Sequence, residues 1–152
     1  VGGPSRHLFN LLNFYTLSKI KKEIDFIGLN YYQRVRIFKK NDISRTDLNW
    51  EIYPKGIWET ISDLKKYKKP IFITENGIAD KNDSYRPEYI KEHLHWLEKA
   101  KKDGADVRGY FHWSLIDNFE WHKGFKPRFG LVEVDYKTME RKIRPSAHTF
   151  PR

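Results

Sequence analysis

The stretch Ile71–Gly77, with the sequence IFITENG, decides the fold of this chain. It opens on apolar and β-branched residues that directly follow a proline, which predicts a short strand buried within a sheet. The strand runs into a carboxylate, Glu75, and then into an Asn-Gly pair, which is typical of a turn. A carboxylate beside a buried strand is costly unless it is paired or used. Glu75 is therefore either a functional residue or the solvent-facing start of a turn, and this stretch alone leaves both open.

Two further stretches have the same form, a short apolar strand that ends in polar or aromatic side chains: residues 24–32 (IDFIGLNYY) and 107–113 (VRGYFHW). Helical patterns cover residues 5–23 and also lie between the strands, after Pro54 and from Pro87 to Gly104. This alternation predicts an α/β fold in which helical crossovers join parallel strands. Because the carboxyl ends of parallel strands share one edge, we expect the functional residues at that edge.

Length and charge narrow the classes of function. The chain has 152 residues, which suit one domain but are too few for a complete eight-fold α/β barrel of at least ~200 residues. Its net charge is +9, with lysines in short clusters on predicted helical surfaces, so we favour a solvated basic surface over a nucleic-acid site. No apolar run reaches the ~18 residues of a membrane span. The absence of cysteine excludes a disulfide framework and fits a cytoplasmic protein.

The third predicted strand runs into residues 109–121 (GYFHWSLIDNFEW), which contain two tryptophans and a glutamate. Aromatic faces stack on the C–H surface of sugars, and carboxylates accept hydrogen bonds from sugar hydroxyl groups. The segment therefore predicts a carbohydrate site, and a Trp-rich core loop is the alternative. We expect Asp117 to order this loop, and His112 and His122 to support the site rather than to act as catalysts.

Five stretches, in the same order along the chain, resemble glycoside hydrolase family 1, the retaining β-glycosidases. They are residues 25–32 (DFIGLNYY), 51–58 (EIYPKGIW), 71–77 (IFITENG), 109–121 (GYFHWSLIDNFEW) and 128–136 (RFGLVEVDY). Residues 144–147 (RPSA) resemble the closing motif of archaeal-type members of the family. The resemblance implies a partial (β/α)8 TIM barrel, in which this chain supplies about the last three strand–helix units.

The resemblance also implies roles for individual residues. Glu75 matches the nucleophile, which attacks the anomeric carbon and forms a covalent glycosyl-enzyme. Tyr32 matches the tyrosine that hydrogen-bonds this carboxylate and orients it. The residues that match the sugar-binding set are Asn30, Trp113, Glu120, Trp121 and Phe129. A carboxylate at Glu120 repels a phosphate dianion, so we expect a non-phosphorylated sugar, and no cofactor or metal ion is implied.

The chain departs from the family pattern at the acid/base residue. Retaining hydrolysis needs a second carboxyl group about 5–5.5 Å from the nucleophile. In the family this residue lies in an Asn-Glu-Pro motif, which this sequence lacks. We therefore expect residues 1–152 to be a single partial domain, the C-terminal portion of a glycosidase barrel, whose acid/base comes from an N-terminal half. We expect the isolated chain to be inactive on a small β-glycoside, and the alternative is a non-catalytic carbohydrate-binding remnant.

Overall fold

A computed structural model describes residues 14–35 and 44–150 and contains a three-stranded parallel sheet. The strands, in their order across the sheet, are β1 (Ile27–Asn30), β2 (Ile71–Asn76) and β3 (Val107–His112). The crossover helices are α1 (Lys55–Leu64) and α2 (Arg86–Lys102). The predicted alternation of parallel strands and helices is confirmed. Residues 14–20 are helical as predicted, whereas positions 5–13 of that predicted helix lie outside the described residues.

Helix α1 covers one face of the sheet. Its apolar residues Ile57, Ile61 and Leu64 recur at helical spacing, and all three are buried, as the sequence predicts. They pack in one core with Ile71 and Ile73 of β2, whose side chains are also buried. Burying each such side chain stabilises the fold by roughly 1.5–3 kcal/mol. This packing holds β2 against helix α1 on the buried face of the sheet.

Helix α2 has a defined start and a defined end. The Asp80 carboxylate accepts hydrogen bonds from the backbone N–H groups of Tyr85 at 2.8 Å and Arg86 at 2.9 Å, which satisfies donors that the first turn leaves unpaired. Pro87 occupies the first turn, where its missing N–H costs nothing. After the last turn, Gly104 adopts a positive φ of 84°, which fits its predicted role as a C-terminal stop.

The turn predicted at Asn76-Gly77 is wrong. Asn76 is the last residue of β2, the chain continues without a turn through position 80, and the first turn lies at residues 81–82. The glycine meets a steric demand instead: a Cβ at Gly77 would lie only 1.6 Å from the carbonyl oxygen of Trp113. Gly77 is thus required for the close approach of two chain segments and not for turn geometry.

The chain beyond β3 is mostly irregular. Within residues 113–150 it contains two 3₁₀ turns, Trp121–Lys123 and Pro145–Thr149, and an antiparallel pair formed by β4 (Val132–Val134) and β5 (Arg141–Ile143). No α-helix follows β3 in this part of the chain, so the third predicted strand–helix unit is present only as its strand. Among residues 14–35 and 44–150, no helix is both long enough and apolar enough to cross a lipid bilayer.

Candidate active site

Glu75 and Tyr32 meet at the carboxyl ends of β1 and β2. The phenol of Tyr32 donates a hydrogen bond of 2.7 Å to Oε2 of Glu75, as the resemblance implies. The parallel pairing sets Asn30 opposite Glu75, and the N–H of Tyr31 donates to the carbonyl oxygen of Glu75 at 2.9 Å. Burial, the hydrogen bond to Glu75 and the negative charges of Glu75 and Glu120 raise the pKa of Tyr32 well above its usual value. The phenol therefore remains a hydrogen-bond donor over the whole physiological pH range.

Asn30 lies beside this pair without touching the Glu75 carboxylate. Its Oδ1 accepts a hydrogen bond of 2.6 Å from the hydroxyl of Thr74, the residue before the nucleophile candidate. Asn30 is exposed, so its amide N–H groups face solvent and can donate to a ligand at this edge of the sheet.

An aromatic cluster surrounds the phenol of Tyr32. Its ring lies 5.7 Å from Trp50 and 6.1 Å from Phe129, and these two rings are also 6.1 Å apart. Phe129 is one of the predicted site residues, whereas Trp50 is not. A lone tryptophan in an otherwise polar loop was the available signal, and its ring partners are distant in sequence.

The loop that carries Trp50 is held in place by an ion pair between the partly exposed Arg34 and the buried Glu51. Arg34 donates two hydrogen bonds to the carboxylate of Glu51, at 2.6 and 3.1 Å, and its guanidinium lies 3.5 Å from the ring centroid of Tyr53. Bidentate pairing of this kind fixes orientation as well as distance. Trp50 precedes Glu51 directly, so the pair holds its ring against Tyr32. The polar, irregular sequence of residues 39–54 predicts a loop, of which positions 39–43 lie outside the described residues.

Trp113 is anchored through its backbone. Its N–H donates to the carbonyl oxygen of Asn76 at 2.8 Å, and its peptide bond to Ser114 is cis. The N–H of Ser114 then donates to the carbonyl oxygen of Phe129 at 3.2 Å. These bonds bring the predicted residues Trp113 and Phe129 to the same edge of the sheet as Glu75.

Asp117 orders the loop that follows, as the sequence predicts. Its buried carboxylate receives two hydrogen bonds of 3.1 Å from Arg144 and one of 3.3 Å from Arg128. The N–H groups of Gly130 and Val134 donate to the same carboxylate at 2.9 and 3.3 Å. The segment that carries Phe129 is thereby tied to the C-terminal RPSA motif.

The C-terminal motif is fixed at a second point. Ser146 donates to the carboxylate of Asp83 through its N–H at 2.9 Å and through its hydroxyl at 2.6 Å. Asp83 also pairs with the buried Arg86 at the start of α2. The hydrogen bonds from Ser146 and the charge of Arg86 lower the pKa of the Asp83 carboxyl group against the opposing effect of its partial burial. The motif thus connects helix α2 with the irregular segment after β3.

The two remaining predicted sugar-binding residues, Glu120 and Trp121, differ in their exposure to solvent. Glu120 is half-buried, and its negative charge contributes to the raised pKa of Tyr32. Trp121 is 80% exposed and adopts a positive φ of 43°. In the part of the chain that the structure describes, its side chain contacts none of the other predicted site residues.

The two histidines near this segment do not face Glu75. His112 is largely buried beside Tyr110 and Phe150, and burial together with the charge of Arg86 lowers its pKa to about 4. It is therefore neutral at pH 7 and packs behind the sheet edge. His122 is exposed within the short 3₁₀ turn. Neither position contradicts the expectation that these side chains support the site.

The arrangement has a definite chemical capacity. Glu75 is half-buried, hydrogen-bonded by a phenol that stays protonated, and close to the aromatic faces of Trp50 and Phe129. Such a carboxylate is oriented and remains accessible to an electrophile, while the aromatic faces suit the apolar side of a sugar ring.

Known proteins resemble this chain in sequence. The family model described as "Glycosyl hydrolase family 1" matches residues 33–151. A beta-galactosidase of Pyrococcus woesei is 49% identical over 114 residues, which are 75% of this chain and 22% of that protein. A 6-phospho-beta-galactosidase of Leptotrichia buccalis is 37% identical, and the match covers 91% of this chain and 38% of that protein.

A solved structure extends the likeness to three dimensions. The chain superimposes on the crystal structure of a hyperthermophilic beta-glucosidase from Pyrococcus furiosus with a TM-score of 0.85 and 39% sequence identity. The match covers 92% of this chain and 35% of the beta-glucosidase. The chain thus spans between about a fifth and two fifths of the length of these relatives. Since the family model covers most of the sequence and the fold agrees, this chain belongs to glycosyl hydrolase family 1.

Proposed function

We propose that Glu75 is the nucleophile of a retaining β-glycosidase that hydrolyses terminal, non-phosphorylated β-linked sugars from small glycosides. The observation that carries the proposal is the 2.7 Å hydrogen bond from Tyr32 to Glu75 at the carboxyl edge of the sheet. A phenol that donates to one carboxylate oxygen stabilises the ionised form and leaves the other oxygen free to attack.

The reaction proceeds in two displacements. An oxygen of Glu75 bonds to the anomeric carbon while the bond from that carbon to the aglycone oxygen breaks, and an acid protonates the departing oxygen. Water then attacks the same carbon, the glycosyl ester is cleaved, and the Glu75 carboxylate is regenerated with the water proton passed to the acid/base. Tyr32 keeps its hydrogen bond to Glu75 before and after each step.

The acid/base residue comes from polypeptide other than these 152 residues. The sequence contains no Asn-Glu-Pro motif, and retaining chemistry requires a partner carboxyl group at about 5–5.5 Å. Strands β1 to β3 then correspond to the last three strands of a (β/α)8 barrel, with residues 1–152 as a partial domain whose two sheet edges pair with the rest of the barrel. Without that remainder the isolated chain does not turn over a glycoside.

The cytoplasmic location that we propose rests on the absence of cysteine.

The sugar at this site carries no phosphate. The negative charge of Glu120 acts on the phenol of Tyr32, and a second negative charge near Glu75 disfavours a phosphorylated sugar. Two of the relatives are called a beta-galactosidase and a beta-glucosidase, so both glucosides and galactosides are candidate substrates. Because one relative is called a 6-phospho-beta-galactosidase, a 6-phosphorylated glycoside is the alternative substrate to test.

A second candidate function is carbohydrate binding without catalysis. It is favoured by the aromatic faces of Trp50 and Phe129 together with the lack of an Asn-Glu-Pro motif in the sequence. In that case the sugar occupies the same edge of the sheet and no covalent intermediate forms.

Covalent labelling separates these functions. The chain, alone and mixed with an N-terminal portion of a family 1 relative, is incubated with an activated 2-deoxy-2-fluoro-β-glucoside or its 6-phosphate. We expect the mixture to gain one fluoroglycosyl group on the peptide that contains Glu75, only with the unphosphorylated reagent, and not in Glu75→Gln. Saturable sugar binding without labelling supports the binding function instead. Turnover of an aryl β-glucoside by the isolated chain, abolished by Glu75→Gln, contradicts the assignment of the acid/base to another polypeptide.

A further inference from the structure

Asn76, the residue after Glu75, is completely buried, and both the nitrogen and the oxygen of its side-chain amide form hydrogen bonds. Its Nδ2 donates to the carbonyl oxygen of Tyr31 at 2.6 Å and to the hydroxyl of Tyr89 at 3.0 Å. Its Oδ1 accepts a hydrogen bond of 2.8 Å from the hydroxyl of Tyr110. A primary amide has two N–H donors and one acceptor oxygen. One side chain on β2 therefore holds the end of β1, helix α2 and strand β3.

These contacts lie where the regular strand pairing fails. The register between β1 and β2 shifts between Leu29 and Asn30, and that between β2 and β3 shifts between Ile73 and Asn76. At this edge a backbone hydrogen bond, from the N–H of Tyr31 to the carbonyl oxygen of Glu75 at 2.9 Å, ties the end of β1 to β2 beyond the register shift. The Asn76 amide supplies fixed contacts at the point where the ladder is irregular.

The contact to Tyr31 is adjacent to the proposed catalytic pair on both strands. Tyr31 precedes Tyr32, and Asn76 follows Glu75, so the Asn76–Tyr31 bond runs next to the Tyr32–Glu75 bond. The peptide groups of Tyr31 are therefore held on both sides, by Glu75 through the N–H and by Asn76 through the carbonyl oxygen. Loss of the Asn76 bond leaves only the N–H side fixed, so the Tyr31–Tyr32 peptide can rotate and shift the phenol. The bond to Tyr110, by contrast, lies on the β3 side and leaves the β1 end untouched.

We propose that Asn76 is a positioning residue that holds Tyr32 against Glu75 through the Tyr31 carbonyl group. The consequence for catalysis rests on the proposed function, in which Glu75 is the nucleophile. A purely structural amide affects stability when it is replaced, but it leaves the Tyr32–Glu75 bond intact in the protein that folds.

The first test follows the phenol of Tyr32 in the 152-residue chain itself, by NMR of ring-labelled tyrosine. Its pKa is raised by burial and by Glu75, so Tyr32 stays protonated at about pH 11, above the usual tyrosine pKa of about 10. In Asn76→Leu, which keeps the branched shape without donors, we expect Tyr32 to ionise at a lower pH than in the unmodified chain, because the contribution of the Glu75 hydrogen bond is lost while that of burial remains. Tyr136 is the internal control, since burial and the charge of Asp117 raise its pKa and its ring packs on Phe125, away from the Asn76 hydrogen bonds.

The matched control variant is Tyr110→Phe. It removes one hydrogen bond of the same amide but keeps the bond to Tyr31, so the Tyr32 titration stays as in the unmodified chain. An unchanged Tyr32 titration in a folded Asn76→Leu chain overturns the proposal, and so does an equal shift in Tyr110→Phe. If Asn76→Leu does not fold, Asn76→Ser, whose hydroxyl is too short to reach Tyr31, is judged by the same criteria.

The second test measures labelling of Glu75 by the activated fluoroglucoside in the mixture described above. Misplacing a reacting group by about 1 Å costs on the order of 10²-fold in rate, so we expect Asn76→Leu to label about 10²-fold more slowly and Tyr110→Phe to label at the unmodified rate. If the unmodified chain is not labelled, the proposed function fails while the phenol titration still decides the role of Asn76. Normal labelling of Asn76→Leu contradicts the proposal.

Discussion

Replacing Asp117 by alanine should remove about 3–5 kcal/mol from the free energy of unfolding. The carboxylate is fully buried and receives two hydrogen bonds of 3.1 Å from Arg144, whose side chain is only 4% exposed. Arg128 lies at 3.3 Å, with a side chain that is 19% exposed. Alanine leaves the Arg144 guanidinium buried opposite a cavity, and an uncompensated buried charge costs more than the loss of the hydrogen bonds alone.

The predicted loss is large compared with the stability of ordinary domains. Native domains have free energies of unfolding of about 5–15 kcal/mol, so Asp117→Ala removes a large share of the total. With a urea dependence of about 2 kcal/mol per molar, the denaturation midpoint should fall by roughly 2 M. The irregular segment after β3 should respond first, because Asp117 links it to Arg144.

The assay is urea denaturation followed by far-UV circular dichroism and by tryptophan fluorescence. Asp106→Asn is the matched control: Asp106 and Arg108 also form an ion pair, but both side chains are more than half exposed, so the midpoint should not change. A midpoint for Asp117→Ala within about 0.3 M of the unmodified chain would refute the reasoning. An equal fall in Asp106→Asn would show that net charge, and not the buried pair, accounts for the effect.

Three further predictions concern single residues. Tyr32→Phe removes the hydrogen bond to Glu75 and should slow fluoroglucoside labelling at least about tenfold, because hydrogen bonds to charged groups contribute about 1.5–3 kcal/mol; equal rates contradict this. The pKa of His112 is lowered to about 4 in the folded chain, so the unfolded chain takes up this proton at a higher pH than the folded chain. The free energy of unfolding should therefore fall as the pH drops from about 6.5 towards 4. Replacing His112 by glutamine should reduce the slope of the urea midpoint against pH over that range. Gly77→Ala places a methyl group against the Trp113 carbonyl oxygen and should lower the thermal midpoint markedly, and an unchanged Tm would mean that the backbone relaxes without cost.

Local sequence signals were enough to predict the main elements. Helix α1 follows from the spacing of Ile57, Ile61 and Leu64, and the end of α2 follows from Gly104, because these signals act within a few residues of each other. Parallel strands follow from the alternation of strands and helices, since helical crossovers are the usual connection between them.

Long-range contacts account for what the sequence did not reveal. The Asn76-Gly77 pair indicates a turn, yet the glycine is required by the close approach of Trp113, the residue after the neighbouring strand β3. Trp50 was not predicted as part of the site because its ring partners, Tyr32 and Phe129, lie in separate segments. The bond from Tyr32 to Glu75 was expected only through family resemblance, since no local pattern relates two residues on different strands.

The ion pairs of Asp117 have a consequence for recombination among family 1 proteins. Arg128, Arg144 and Asp117 form one buried charge group across the segment from 114 to 144. A chimera that takes Asp117 from one parent and Arg144 from another keeps the group only if both parents have this ion pair, buried to the same extent. Breakpoints before Trp113 or after Phe150 keep the group in one inherited block, and chimeras built with those junctions should retain these ion pairs.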